Sequence, residues 1–459
     1  MIVGTADDTV RQQTLVAAKA KMAQLRLAGF DAVRISDIWT PGAVTPPADD
    51  LATIKNVAAA AKIYGMELFV AVHNAGSRTT PLTQKDQLDF AGYVGSLARA
   101  VPEIKDFVIG NEPNTNRFWL PQFSPDGTDA AAPAYESLLA LSYDAVKAVS
   151  PNLNVIGGAL SPRGGDKPPP ADNKHSPTMF ITDLGAAYRA SGRTKPIMDE
   201  FAIHPYQDSS SLAPNVGHPT TTSVGIADYD KLVSLLGKAF DGTAQPGSTL
   251  PIVYGEFGVE TQIPAAKASL YTGNEGPNTK PVTEQTQGDY YRQAVSLSFC
   301  QANVRAIMIL HAYDESSLGP SGGWQSGVFY ADGTPKASLP AMQKAARDAR
   351  GGVVARCPGL QLTPQAKVTF PRGRALQSVP LKLSVKCDLD CNVYARLEKL
   401  PRHSTTLAVS SHALAGTRTA ITLPSRRVAP GEYRFTVRLT APVNVGPPSL
   451  VTSDTIVLR

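Results

Sequence analysis

Short apolar runs alternate with longer helix-forming stretches through most of this chain, and this alternation restricts the possible folds more than any other feature. In the stretch AYESLLALSYDAVKAVSPN, Tyr135, Leu138 and Leu139 fall on one helical face, and Pro151 ends the helix. Eight such strand and helix units within residues 1–350 predict a (β/α)8 barrel, also called a TIM barrel. The predicted strands contain MIVG, AVRIS, LFVAVH, FVIG, NVIGGA, MDEFAIH, PIVYG and AIMILH.

The connections between these segments differ in length according to their direction. Turns from a helix into the next strand are short, as in LAGFDA and KIYGME. Several connections from a strand into the next helix are long and rich in Gly and Pro, such as SPRGGDKPPPADNKHSP after the fifth strand. In TIM barrels these loops form the face that carries the active site. We therefore expect function at this face, with tolerated surface insertions as the alternative.

The composition changes after residue 350, where helical periodicity is lost. Residues 351–358 are predicted to be a linker, and residues 359–459 alternate β-prone stretches such as VPLKLSVKC and EYRFTVRL with turns. This pattern predicts a small β-sandwich of immunoglobulin or fibronectin type. Cys387 and Cys391, in CDLDC, are spaced to close a disulfide in an exported protein or to hold half of a metal site in a cytosolic one.

Charge and hydropathy restrict the classes of partner. The net charge is +5, and the residues from Gly359 onward have 14 Lys and Arg against 5 Asp and Glu. These basic residues are not clustered and have few aromatic neighbours, so nucleic acid is not an expected partner. No uninterrupted apolar run of about 18 residues is present, so no membrane span is expected. The sequence does not predict the oligomeric state.

The first residues, MIVGTADD, already resemble a strand and lack the basic and apolar regions of a secretory signal. We expect the protein to be secreted, with a signal segment upstream of this start. A cytoplasmic location is the alternative.

Two strands are predicted to end in a carboxylate. Glu112 ends the fourth strand in FVIGNEPN, and Glu256 ends the seventh in IVYGEFG. These strands are three apart in a closed ring of eight, so their ends can face each other across the barrel mouth. Two carboxylates about 5 to 5.5 Å apart suit a retaining glycosidase, and a wider gap suits inversion. Capping of the following helix is the alternative for each Glu.

These motifs carry a family resemblance that covers about residues 1–350. NEP after the fourth strand and GEFG after the seventh resemble clan A of the retaining glycoside hydrolases, particularly families 5 and 39. HPY after the sixth strand, Arg34 near the end of the second and VFYADGTPK before the last helix agree with it. Together and in this order, the motifs are specific for the clan and not for a substrate.

The resemblance implies roles for individual residues. Glu112 would be the acid/base and Glu256 the nucleophile, and Asn111 would bind the sugar 2-hydroxyl. These assignments require the environments of the two carboxylates to differ, because one must hold a proton while the other stays ionised.

Further residues near the strand ends are expected to support these groups or to bind sugar. Arg34 and Tyr206 would keep the nucleophile charged, and His204 resembles the histidine that lies beside these groups in the clan. His73 and Asn74, at the end of the third strand, are expected to contact the bound sugar. Ordinary core packing is the alternative for Arg34 and His204.

Aromatic rings provide stacking faces for sugars. Trp39, Trp119 and Trp324 all fall in predicted strand-to-helix loops, where loop anchoring is the alternative use. Many clan members have a Trp at the end of the eighth strand, but LHAYDE stands here, and Tyr313 or Trp324 is expected to fill that place. Asp314 and Glu315 could bind substrate hydroxyls or form ion pairs.

The sequence thus predicts a retaining glycoside hydrolase that cleaves β-type bonds without a metal or cofactor and acts on an oligosaccharide, polysaccharide or glycoside. The alternatives are a transglycosidase that uses the same intermediate and a non-catalytic carbohydrate-binding surface protein. A metal-dependent hydrolase is disfavoured, because the chain has 7 His and no His-x-His pair at the first strand.

Overall fold

The chain folds into two compact units, Met1–Ala346 and Arg347–Arg459. The computed structural model describes residues 1–273, 280–318, 323–371, 373–375, 379–424 and 428–459.

A closed parallel barrel forms the first unit, which confirms the fold predicted from the sequence. In the described residues it has eight strands, and strands that follow each other along the chain are neighbours in the sheet. The last strand closes the ring by pairing with the first, where Ile2 lies opposite Ala306 and Ala6 lies opposite Leu310. The strands are β1 (Ile2–Ala6), β2 (Ala32–Trp39), β3 (Glu67–Asn74), β4 (Asp106–Ile109), β5 (Asn154–Leu160), β6 (Glu200–Ile203), β7 (Ile252–Phe257) and β8 (Val304–Leu310).

Helices follow the strands, and several begin at a capping side chain. The Thr83 and Ser176 side chains accept hydrogen bonds from the free backbone N–H groups of Asp86 and Met179 in the first turns that follow. No helix in the described residues is both long and apolar enough to cross a membrane. The helices are α1 (Leu15–Leu27), α2 (Ala48–Tyr64), α3 (Gln84–Ala100), α4 (Ala131–Val149), α5 (Pro177–Ala190), α6 (Tyr229–Phe240), α7 (Glu284–Phe299) and α8 (Leu339–Gly351).

The amino ends of the strands are held together by an ion-pair cluster. Arg305 Nη1 lies 2.6 Å from Asp106 Oδ1 and 2.8 Å from Glu200 Oε1, and its Nη2 lies 3.1 Å from Glu67 Oε2. Above the cluster, small and apolar side chains fill the barrel. The opposite, carboxyl end of the strands is left to hold the functional groups. The filling residues are Ala6, Ala32, Phe69, Ala71, Val108, Ile156, Ala159, Ala202, Val253, Ala306, Met308 and Leu310.

The second unit consists of β-sheets, as the alternating pattern predicted. Three strands form one sheet, in the order β9 (Ala366–Thr369), β11 (Leu381–Cys387) and β14 (Thr419–Leu423). Five strands follow one another in a second sheet, in the order β10 (Arg374–Ala375), β17 (Ile456–Leu458), β15 (Gly431–Thr440), β12 (Cys391–Lys399) and β13 (Ser404–Ala413). A sixth strand of that sheet, β16 (Ser449–Thr452), also pairs with β15. Apolar side chains from both sheets share one core. Cys387 and Cys391 form a disulfide.

Candidate active site

Glu112 and Glu256, at the carboxyl ends of β4 and β7, meet at one buried histidine. His204 Nδ1 lies 3.2 Å from Glu112 Oε1 and 3.5 Å from Glu256 Oε2. Those two oxygens are therefore no more than about 6.7 Å apart, the sum of the two distances. Gly255 makes room for the imidazole, since a Cβ at this position would lie 3.1 Å from His204 Cδ2. The barrel thus brings together two carboxylates that are far apart in the sequence.

The turn after β4 directs Glu112 by means of an uncommon backbone conformation. Gly110 has φ of +84° and Glu112 has φ of +41°, a region that side-chain-bearing residues seldom occupy. The Glu112 backbone is held on both sides, because its N–H donates to the Ala159 oxygen at 2.9 Å and its own oxygen accepts from Thr115 N at 2.9 Å. Backbone strain of this kind clusters at functional sites.

Glu256 has strong hydrogen-bond donors on both carboxylate oxygens. Arg34 Nη1 donates to Oε1 at 2.7 Å, and the Tyr206 hydroxyl donates to Oε2 at 2.9 Å. Burial alone would raise the pKa of Glu256, but His204, the Arg34 charge and these two hydrogen bonds outweigh burial and lower it to about 2. Glu256 is therefore ionised at any ordinary working pH.

Arg34 also orients Asn111, because its Nη2 donates to Asn111 Oδ1 at 3.3 Å. His73 Nδ1 lies 2.9 Å from the Asn74 backbone oxygen, and burial lowers the pKa of this histidine, which favours the neutral ring. Asn74 has a different position from the one expected. Its Nδ2 donates to the backbone oxygens of Gly76 and Phe118, each at 2.8 Å, so this side chain anchors the loops instead of lining the cavity.

Two adjoining cavities open around these groups. The larger, called here the central cavity, has a volume of about 540 Å³ and contains Glu256, Arg34 and His73. The smaller, called the side cavity, has about 280 Å³ and lies among the loops after β5, β6 and β7. The described residues contain no group of three or more His, Cys, Asp or Glu arranged to hold a metal. Residues that line both cavities are Glu112, Tyr206 and Trp324.

Only one of the three tryptophans has an exposed face at these cavities. The Trp324 ring stacks on Tyr206 with ring centres 5.4 Å apart, and 36% of this tryptophan is exposed. Trp39 is the last residue of β2 and not a loop residue as expected; it is fully buried, and its Nε1 donates to the Ala43 backbone oxygen at 2.8 Å. Trp119 is also buried. The two buried rings therefore anchor loops, which was the alternative use for each.

Tyr313 is not brought to the central cavity, contrary to its expected role as a sugar contact. Its ring is buried against Phe329, with ring centres 5.2 Å apart, and its hydroxyl donates to Gln24. Asp7 Oδ2 fixes the backbone directly after β8, since it accepts hydrogen bonds from the N–H groups of Ala312 and Tyr313.

Several residues of the central cavity were not identified from the sequence. His311 directly follows β8 and lies against Glu315, while Asp7 and Asp8 follow β1 and Arg117 lies in the loop after β4. Their only signal in the sequence is a position at the end of a predicted strand or in the loop that follows it. That signal is shared by many residues without a role, so it could not select these ones.

Neither a protein-family model nor a curated protein sequence matches the chain. Solved structures with a similar fold include a family 39 glycoside hydrolase from the gut symbiont Bacteroides cellulosilyticus WH2, with a TM-score of 0.54, 14% identity, and coverage of 92% of this chain and 80% of that chain. A GH5_18 variant from Streptomyces cattleya in complex with Manβ1-4GlcNAc has a TM-score of 0.52 and 16% identity, covering 82% and 84% of the respective chains. A GH5_18 from Bifidobacterium longum subsp. infantis has a TM-score of 0.51 and 15% identity, covering 79% and 82%. These likenesses establish the fold.

Proposed function

We propose that this protein is a retaining glycoside hydrolase that cleaves β-type bonds, with Glu256 as nucleophile and Glu112 as acid/base. The observation that carries the proposal is the contact of His204 with both carboxylates, which keeps two of their oxygens within about 6.7 Å of each other. Retaining pairs are about 5 to 5.5 Å apart, and inverting pairs about 6.5 to 9.5 Å. One histidine in contact with both carboxyl groups favours the shorter, retaining separation.

The unequal environments of the two carboxylates support this division of roles. Glu256 is ionised and held by Arg34 and Tyr206, as a nucleophile must be. Among the described residues, Glu112 forms no ion pair with Arg or Lys, and its ionic contact is with His204. A group that must carry a proton into the reaction is better placed without a permanent cation beside it.

The reaction would proceed in two displacements. In the first, a Glu256 oxygen attacks the anomeric carbon while Glu112 gives its proton to the departing glycosidic oxygen, so that a glycosyl ester forms and the leaving group is released. In the second, Glu112, now a carboxylate, takes a proton from a water molecule. The oxygen of that water attacks the same anomeric carbon, and the ester bond to Glu256 breaks. Two inversions restore the original configuration.

The two cavities suggest where the parts of the substrate bind. The donor sugar would occupy the central cavity, where Glu256 lies, and the leaving group would extend into the side cavity. Glu112 lines both, as a proton donor to the bond between them must. The fold shared with a family 39 glycoside hydrolase, and with a GH5_18 variant solved with Manβ1-4GlcNAc, supports a sugar substrate.

Azide rescue tests the proposal and the roles together. Glu112→Ala and Glu256→Ala should each lose turnover of aryl β-glycosides, and azide should give the β-azide with the first variant and the α-azide with the second. Glu103→Ala, a surface change far from both cavities, is the matched control and should behave as wild type. Release of the α-anomer by wild type, followed by NMR, would contradict a retaining mechanism. A wild type inactive on aryl glycosides and polysaccharides would contradict hydrolysis itself.

A further inference from the structure

The central cavity contains a histidine and glutamate pair that the proposed reaction does not use. His311 Nε2 lies 3.3 Å from Glu315 Oε1, and His311 Nδ1 lies 2.7 Å from the Ala6 backbone oxygen. Because an oxygen acceptor faces each ring nitrogen, the imidazolium form, with two N–H donors, satisfies both. Burial opposes that charge, but the Glu315 hydrogen bond and the carboxylates of Asp7 and Glu315 outweigh it and raise the pKa of His311 to about 9.

Glu315 is held from two directions and still faces the cavity. Its Oε1 pairs with His311, and its Oε2 accepts a 2.9 Å hydrogen bond from the Trp324 backbone N–H. The Glu315 N–H donates in return to the Trp324 oxygen at 3.0 Å. About half of the side chain, 48%, remains exposed. Since a carboxylate has about four acceptor positions, this one can accept hydrogen bonds from a ligand without moving.

Negative charge predominates in the central cavity. Among its described lining residues, Arg34 is paired with Glu256 and His311 with Glu315, while Arg117 is exposed to solvent. An anionic group on a bound sugar would therefore meet more carboxylates than cations. The exposed cation, Arg117, already acts on Glu315, whose pKa is lowered by the hydrogen bond and charge of His311 and by the charge of Arg117. Hydroxyl groups, in contrast, can donate to these oxygens. The lining acidic residues are Asp7, Asp8, Glu256 and Glu315, together with Glu112, which carries a proton when the proposed reaction begins.

We propose that Glu315, positioned by His311, binds hydroxyl groups of the donor sugar and makes this protein select uncharged sugars over uronic acids and sulfated sugars. The inference rests on the proposed glycosidase function and adds the substrate class to it. A hydroxyl that donates to a carboxylate forms a charge-assisted hydrogen bond, stronger than a neutral one. Selectivity can come from repulsion of the wrong ligand as well as from attraction of the right one.

Binding measured without turnover tests this inference. Methyl β-glycosides of glucose, galactose, mannose and xylose are titrated by NMR, together with methyl β-glucuronide and methyl β-galacturonide. Wild type, Glu315→Gln and the control Glu103→Gln are compared, and each is first checked for wild-type thermal unfolding. The decisive quantity is the ratio of affinities for a neutral glycoside and its own uronide, because a general loss of structure would weaken both ligands together.

Wild type should bind at least one neutral glycoside tenfold or more tightly than the matching uronide. Glu315→Gln should weaken binding of the neutral glycoside about 10- to 100-fold and reduce the ratio of its affinity to that of the uronide. Equal or tighter binding of the uronide, no binding of any neutral glycoside, or an unchanged ratio in Glu315→Gln would overturn the inference. Turnover of aryl glycosides is measured separately. Hydrolysis of aryl uronides with retention would support the proposed function and reject the inference. Selective binding of neutral glycosides with no turnover of any aryl glycoside would support the inference and reject the proposed function.

Discussion

Removing one oxygen atom from Tyr206 tests why Glu256 is so acidic. Tyr206→Phe keeps the ring that stacks on Trp324 and deletes the hydroxyl that donates to Glu256 Oε2 at 2.9 Å. The pKa of Glu256 is about 2, against an ordinary 4.5. At about 1.4 kcal/mol for each pH unit, the site favours the ionised carboxylate by roughly 3 kcal/mol.

The expected shift follows from the strength of the lost contact. A hydrogen bond to a charged group contributes about 1.5 to 3 kcal/mol, so its loss should raise the pKa of Glu256 by about 1 to 2, to between about 3 and 4. Arg34 remains in place, so the carboxylate stays ionised at pH 7. A nucleophile with a raised pKa is protonated at higher pH, so kcat/KM of the variant should fall earlier as the pH is lowered.

The assay is the pH profile of kcat/KM on an aryl β-glycoside from about pH 3 to 8, with circular dichroism to confirm folding at each pH. Tyr188→Phe is the matched control, because it also loses one 2.8 Å hydrogen bond, to the Lys195 backbone oxygen, away from both cavities. Its profile should match that of wild type. An acid limb in Tyr206→Phe that coincides with wild type would refute the assignment of Glu256 as the group held ionised by Tyr206.

Three other changes have distinct expected outcomes. Gly255→Ala places a Cβ 3.1 Å from His204 Cδ2. We therefore expect a stability loss of about 1 to 3 kcal/mol, measured by thermal unfolding, and at least a tenfold lower kcat/KM. Unchanged kinetics would contradict the close packing. Trp324→Ala removes a stacking face and should raise KM for aryl glycosides about two- to tenfold with little change in kcat. An unaltered KM would argue against stacking of a sugar or aryl ring on Trp324. Burial and, more weakly, Asp183 raise the pKa of Asp129 to about 6, so the contribution of Asp129 to stability should fall as pH rises from about 4 to 6. Asp183→Asn should therefore raise Tm more at pH 7.5 than at pH 4. Equal gains at both pH values would exclude this coupling.

The fold could be predicted because its evidence is local and repeated along the chain. Each barrel strand is buried on both faces and therefore appears as a short apolar run, and each helix covers it with one apolar face. The predicted run FVIG, for example, matches β4 at Asp106–Ile109, and PIVYG matches β7 at Ile252–Phe257. Errors in the predicted first and last residues of a strand do not change the order of the strands around the barrel.

The candidate carboxylates were also accessible from the sequence, since a strand end in a barrel of known direction points to one face. The roles of the aromatic residues could not be predicted from the sequence. Trp119 and Trp324 are both in loops after strands, yet one is buried and the other is exposed at the cavities. Burial of a loop residue depends on which distant segments pack over it, and local periodicity contains no information about those segments.

By itself, the sequence determined the barrel, the β-sheet unit that follows it, and the pair Glu112 and Glu256 at the ends of two strands. Only the tertiary structure decided how these groups act on each other: that His204 touches both carboxylates, that Arg34 and Tyr206 lower the pKa of Glu256, and that Tyr313 turns away from the cavity. The physical reason is that hydrogen bonds form only when side-chain atoms lie about 3 Å apart, and that the interaction energy of two charges depends on the distance between them. Such separations between residues far apart in the chain are set by closure of the barrel and by the backbone turns at the strand ends.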